Sequence, residues 1–119
     1  MQSYRDLEIY RTAHRLAVEI HKLTLELPKF EIYEEGSQIR RSSKAISANI
    51  VEGFGRKKHK QDYVRFLIYA HSSCDETMEH LDYLFETKSL KNLKLYKQLM
   101  DNLVTLSKKI NRFIQVVSS

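Results

Sequence analysis

Two stretches of the chain pair an arginine with a histidine at a spacing suited to acid-base work on RNA. RFLIYAH supplies Arg65 and His71, and RLAVEIH supplies Arg15 and His21. An imidazole can take the proton of a ribose 2′-hydroxyl while a guanidinium steadies the adjoining phosphate. A third stretch, GRKKHK, gathers Arg56, Lys57, Lys58 and Lys60, which suit phosphate contacts that weaken with salt and ignore base sequence. Phe54, Tyr63 and Tyr69 lie close by for stacking on unpaired bases, although periodicity turns at least Tyr63 toward a core. Just before this cluster, Asn49 and Glu52 stand on a helix face of small residues, followed by Gly53 and Gly55. His14 and His21 are a heptad apart, roughly 10 Å along a helix axis, too far to share a metal ion without other ligands. His71 and His80 do not share a helix face closely either.

Chance weakens the arginine-histidine signal. With eight arginines and five histidines in the chain, about one such pairing is expected at random over the three spacings that helical nucleases of the HEPN class use. Neither stretch carries the polar residue that those nucleases place directly after the arginine. Nothing resembles a nucleophile elbow or a glycine-rich oxyanion loop. The expectation is therefore a protein that is not an enzyme and needs no cofactor or metal. A HEPN-like, metal-independent ribonuclease using Arg65 and His71 is the enzymatic alternative.

The charge balance supports an anionic partner. The chain of 119 residues carries a formal charge of +5, but the segment from Arg40 to Arg65 alone holds eight Lys/Arg against Glu52 and Asp62. That local excess points to nucleic acid or another acidic surface. Helix positions from Phe66 to Thr87 show the opposite bias: Asp75, Glu76, Glu79, Asp82 and Glu86 with no Lys or Arg. In an oligomer, this acidic face would meet basic positions such as Arg40 and Arg41 of another copy. The N-terminal MQSYRDLEIY has no apolar run fit for secretion and no span of about 20 apolar residues occurs, so a cytoplasmic location without membrane contact is expected. Cys74 is the only cysteine, which leaves no internal disulfide and suggests an inert core thiol.

These residues must be positioned by helices, because three glycines and one proline leave few breaks. Spacings of three and four recur at Ile9, Ala13, Leu16, Ile20, Leu23 and Leu27, which predicts a first helix over residues 4–27, opened by Ser3 with Asp6 and closed by Pro28. FEIYEEG reads as a connection with a partial turn. Ser37 is placed as the cap of a second helix carrying Ile39, Ser43, Ile46, Ile50 and Gly53, with Gly53 and Gly55 ending it through positive φ or close approach. A third helix begins near Lys60 to Asp62, runs to about Thr87 and buries Tyr63, Phe66, Ala70, Ser73, Thr77, Leu81 and Leu84. The fourth carries Leu93, Tyr96, Met100, Leu103, Ser107, Ile110, Ile114 and Val117. Short connections make neighbours antiparallel, so the whole chain, 1–119, forms one all-α up-down-up-down four-helix bundle. One pole would then collect Arg56, Lys57, Lys58 and Lys60 with Lys108, Lys109 and Arg112.

The stretch QIRRSSKAISANIVEGFGR, Gln38 to Arg56, resembles the signature QIRRAxxSIxxNIAEGxGR of the four-helix-bundle proteins encoded in bacterial 23S rRNA intervening sequences, also called S23 proteins. YRDLEIYRTA is similar to that family's opening, and FLIYAHSSCDE to its third-helix motif. The match falls at Gln38, Arg40, Arg41, Ile46, Asn49, Ile50, Glu52, Gly53, Gly55 and Arg56, and later at Ser73 and Glu76. Ser72 replaces a usual glycine, Cys74 a leucine, and Tyr10 a common tryptophan. The resemblance implies a ring-like homopentamer related to an accessory protein of diversity-generating retroelements, which binds nucleic acid and a reverse transcriptase. It makes Gln38, Arg40, Arg41, Asn49, Glu52, Gly53, Gly55 and Glu76 motif and assembly residues, of which Arg40, Arg41, Asn49, Glu52 and Glu76 would pair within or between subunits. Two functions follow as expectations: binding of RNA or DNA through the basic pole, or an adaptor ring that meets an acidic protein such as a reverse transcriptase.

Overall fold

The computed structural model describes residues 3–119, and these form four long helices with short connections. A 3-10 turn at Tyr4–Asp6 leads into α1, Glu8–Thr24; a single turn, α2, Lys29–Ile32, precedes α3, Glu35–Gly55; then follow α4, Lys60–Glu86, and α5, Leu93–Ser118. Each long helix packs against the next and α1 closes against α5, with α3 and α4 making the most extensive contact. The bundle measures 45 × 22 × 20 Å. Periodicity explains the core: Ile9, Ala13, Leu16 and Ile20 of α1 meet Ile39, Ile46 and Ile50 of α3, Leu67, Ala70, Leu81 and Leu84 of α4, and Leu99, Leu103, Leu106 and Ile110 of α5.

The helix boundaries depart from expectation at three places. The capping box of Ser3 and Asp6 is present, but it opens the 3-10 turn and not α1; extended backbone at the buried Leu7 ends that turn, and α1 begins at Glu8. At the other end α1 stops at Thr24, and Leu25 to Leu27 tighten into a turn before Pro28. Ser37 does not cap α3, which begins two residues earlier. Its first turn is instead capped by the buried Glu31, whose Oε1 accepts the Glu35 N–H at 3.1 Å. In α4, Phe66 and Ser73 are only half-buried, and Leu67 and Cys74 take the core places. Burial pushes the Cys74 thiol up to about 12, with Asp75 adding to the shift. A thiol reagent at pH 8 should therefore label Cys74 only after unfolding; rapid labelling of the folded protein would contradict the buried placement.

No glycine has positive φ; the one positive φ among the described residues is at Lys88, 68°, in the turn from α4 to α5. Gly53 serves close approach. A Cβ there would lie 3.2 Å from Phe66 Cβ, 3.2 Å from Tyr63 Cδ1 and 3.3 Å from the Tyr63 carbonyl oxygen. Gly55 faces open space. The same substitution should thus have opposite signs at the two sites. Gly55→Ala should raise stability by about 0.5–1 kcal/mol through helix propensity. Gly53→Ala should lower it by about 1 kcal/mol, because Tyr63 is buried against Phe113 and backbone cannot retreat freely. Urea melts of the two variants would read this; equal effects would mean that α3 and α4 part easily at Gly53.

Candidate nucleic-acid interface

Antiparallel packing brings the end of α3, the start of α4, the start of α1 and the end of α5 to one pole. Lys60 Nζ donates to the Ser119 carbonyl at 2.8 Å, Tyr63 packs edge-on to Phe113, and Lys109 Nζ lies 3.0 Å from Glu8 Oε1. All seven basic residues expected at this pole are exposed there. They do not form one continuous patch. Arg56 sits over the Phe66 ring at 4.9 Å on the α3–α4 side, whereas Lys109 and Arg112 line a groove with Leu7, Ile9, Phe113 and Val116 on the α1–α5 side. These sides lie across the bundle from each other, and the loop carrying Lys57 and Lys58 spans its tip.

Three carboxylates at this pole, Glu8, Glu52 and Asp62, are taken by part of the basic set. Arg56 pairs with Glu52 at 3.2 Å and reaches Asp62 at 3.8 Å, and Arg65 pairs with Asp62 at 3.1 Å. The ammonium of Lys109, hydrogen-bonded to Glu8, holds that carboxyl below its ordinary range. Lys57 places its Nζ 4.0 Å from the Phe54 ring centroid. Among the described residues, Lys57, Lys58, Lys108 and Arg112 form no ion pair, so they remain open to an outside anion. The Phe54–Lys57 contact was legible as an i,i+3 pair. The Arg56–Phe66 contact was not, because Phe66 scans as a core position.

Arg40, Asn49, Glu52 and Glu76 of the motif make contacts within the subunit. Arg40 is not a free cation for another copy: its Nη1 donates to Thr24 Oγ1 at 2.8 Å and its Nη2 to the Ile32 carbonyl at 2.8 Å. It thereby fastens the end of α1 and the short α2 to α3. Asn49 is half-buried and donates to Ala45 O at 2.9 Å; it does not pair with Glu52. His80, to which residue type and spacing assign no role, joins α4 to α3, with Nδ1 2.7 Å from Glu35 Oε2 and Nε2 3.3 Å from Glu76 Oε2. Gln38 and Arg41 are exposed.

The two arginine-histidine pairs gain no shared geometry. Arg65 is held by Asp62, while His71 faces Ser107 Oγ at 3.0 Å and Asp75 at 3.7 Å. Arg15 pairs with Glu19 at 3.7 Å, and His21 lines a separate groove between α1 and α3 with His14, Lys22 and Lys44. Among the described residues, no group of three or more His, Cys, Asp or Glu is arranged to hold a metal ion. No helix among them is long and apolar enough to cross a membrane.

Fold and surface together define an all-helical bundle of four long antiparallel helices with a basic end. The chain belongs to the family described as 23S rRNA-intervening sequence protein, whose pattern it matches over residues 5–112. Its fold is similar to the crystal structure, at 1.70 Å resolution, of a protein with unknown function from the S23 ribosomal protein family from Bacteroides thetaiotaomicron VPI-5482. That likeness has a TM-score of 0.77 at 24% identity and covers 90% of this chain and 95% of the other. Comparison with curated proteins finds no match.

Proposed function

We propose that this chain is a non-enzymatic RNA- or DNA-binding protein that works as a homo-oligomer, the ring of five implied by its family resemblance. The observation that carries this reading is uncompensated charge. Lys57, Lys58, Lys108 and Arg112 stand exposed at one end without ion-pair partners, while Glu8, Glu52 and Asp62 nearby are engaged by Lys109, Arg56 and Arg65. Lys57 and Lys58 adjoin in one loop, and Lys108 and Arg112 lie one turn apart on α5; like charges so close repel within each pair, and a phosphate backbone relieves that repulsion with release of its counterions. Phe54 beneath Lys57 adds an aromatic face beside the charge. In a ring, the same end repeats around the axis, so weak single contacts combine on one strand.

The test is fluorescence anisotropy with a short single-stranded RNA at several salt concentrations. Log affinity should fall steeply with log salt. Replacing Lys57, Lys58, Lys108 and Arg112 together by alanine should flatten that slope by about 3, at roughly 0.7 for each single-strand phosphate no longer neutralised. Affinity at low salt should drop by about a hundredfold or more. A slope unchanged by the four substitutions would overturn the assignment of these residues. An assembled protein with no affinity for RNA or DNA would turn the reading toward an adaptor for an acidic protein.

A further inference from the structure

The geometry points to the two faces through which copies of this chain join: the groove between α1 and α3 on one copy, and the acidic outer face of α4 on the next. This rests on the reading of the protein as a homo-oligomer and says how it would be built. The groove encloses about 440 Å³ and is floored by Ala17 and Val18. Its rim holds His14, His21, Lys22 and Lys44, with Ser47 and no carboxylate. Val18 is 41% exposed although apolar. Arg41, exposed and one turn from Lys44 on α3, extends the positive rim. Since Arg40 is consumed by Thr24 and Ile32, it is Arg41 and Lys44 that α3 offers outward.

The complementary face is equally particular. From Phe66 to Thr87, α4 carries five carboxylates and no Lys or Arg. Asp75, Glu76 and Glu79 are exposed on its outer side with Ser72, and the same side leaves Ile68 and Tyr69 each 47% exposed. A negative rim with protruding apolar side chains fits a positive rim with an apolar floor, which is the pattern of an interface with an apolar centre and charged edges.

Height along the bundle adds an independent match. Thr77 of α4 lies 2.9 Å from Ser42 of α3, and Arg40 of α3 lies 2.8 Å from Thr24 of α1. Counting along antiparallel helices from these contacts sets Lys44 level with Asp75 on α4 and with Ile20 on α1. The groove and the acidic face therefore sit at the same level of one subunit. Subunits can then join side by side with their axes aligned and no rise between copies. The contact is heterologous, groove to face, and the two surfaces do not lie directly opposite each other. Repeating such a contact without a rise turns around one axis and forms a ring when the rotation divides a full turn, where a vertical offset would wind a filament.

The test is mass in solution by sedimentation equilibrium on four proteins, with helical content checked by circular dichroism. The wild type should be a closed oligomer that dissociates more readily as salt rises. Arg41→Glu with Lys44→Glu, and separately Asp75→Lys with Glu79→Lys, should each raise the dissociation concentration by about tenfold or more, since like charges then face each other. All four substitutions in one chain should restore the wild-type mass, because the pairing is merely inverted. A folded wild type that stays monomeric would sink the oligomer reading itself. A wild type that assembles while both double variants keep its mass would leave that reading standing and overturn the choice of faces. Disruption by the double variants without recovery in the fourfold variant would likewise overturn the direct pairing.

Discussion

Leu81→Ala should cost about 3–4 kcal/mol of unfolding free energy, the scale of loss expected at the fully buried leucines of this chain. Leu81 is 0% exposed, toward the C-terminal end of the longest helix, among the fully buried side chains that all four long helices contribute to one core. Truncation removes three carbons from the packing and leaves a cavity that a close-packed bundle fills only in part, the situation in which leucine deletions cost about 2.7–5 kcal/mol. For a domain of this size the loss corresponds to a melting temperature lower by roughly 12–16 °C, at about 4 °C for each kcal/mol. Leu93→Ala supplies the contrast. Leu93 opens α5 with 49% of its surface in solvent, so its truncation should change stability by less than about 0.5 kcal/mol. Urea denaturation of both variants would check the pair. Similar losses at the two positions would mean that the packing is not organised around a single four-helix core.

Gly36→Ala should lower stability by about 2 kcal/mol, although alanine is the better helix former by about 1 kcal/mol. Gly36 is buried in the first turn of α3, and a Cβ there would stand 2.7 Å from the Glu31 carbonyl oxygen and 3.3 Å from Arg40 Nη1. The carbonyl belongs to backbone that is itself fastened. Glu31 caps α3 through the Glu35 N–H and accepts a hydrogen bond from the Ser89 hydroxyl, while Arg40 holds Ile32. Relief would have to move α2 off α3 and loosen those contacts together. Gly55→Ala, which meets nothing, is the internal control for propensity alone. Equal gains at Gly36 and Gly55 in urea melts would show that the α2–α3 corner yields without resistance.

This corner also marks the limit of what residue patterns convey. The heptad-like spacing of apolar residues locates all four long helices, because a helix in water must bury one stripe and the stripe repeats every 3.6 residues. The start of α4 within Lys60 to Asp62 and its end near Thr87 were legible for that reason. Ser37 was misleading. Serine is a good cap in isolation, but α3 takes its cap from Glu31, four residues before Glu35 on a separate turn, and local preference carries no record of that approach. Likewise Gly53 and Gly55 look alike as helix-ending residues, yet only Gly53 is approached by Tyr63 and Phe66 of another helix. Lys88 occupies the single positive φ among the described residues, where neither glycine nor asparagine signals a turn.

The basic residues divide in the same way. The sequence alone determined that four cations fall within Arg56 to Lys60, that α4 carries carboxylates without cations over most of its length, and that the chain must be a bundle of helices. Those are consequences of residue type and period, which need no partner to define them. Only the tertiary structure decided which charges are still unpaired. Arg40 turns inward to Thr24 and Ile32, Lys109 and Arg56 are claimed by Glu8 and Glu52, and Lys57, Lys58, Lys108 and Arg112 are left open. Ion pairing acts over a few ångströms, and such distances between residues far apart in the chain exist only once the helices have packed.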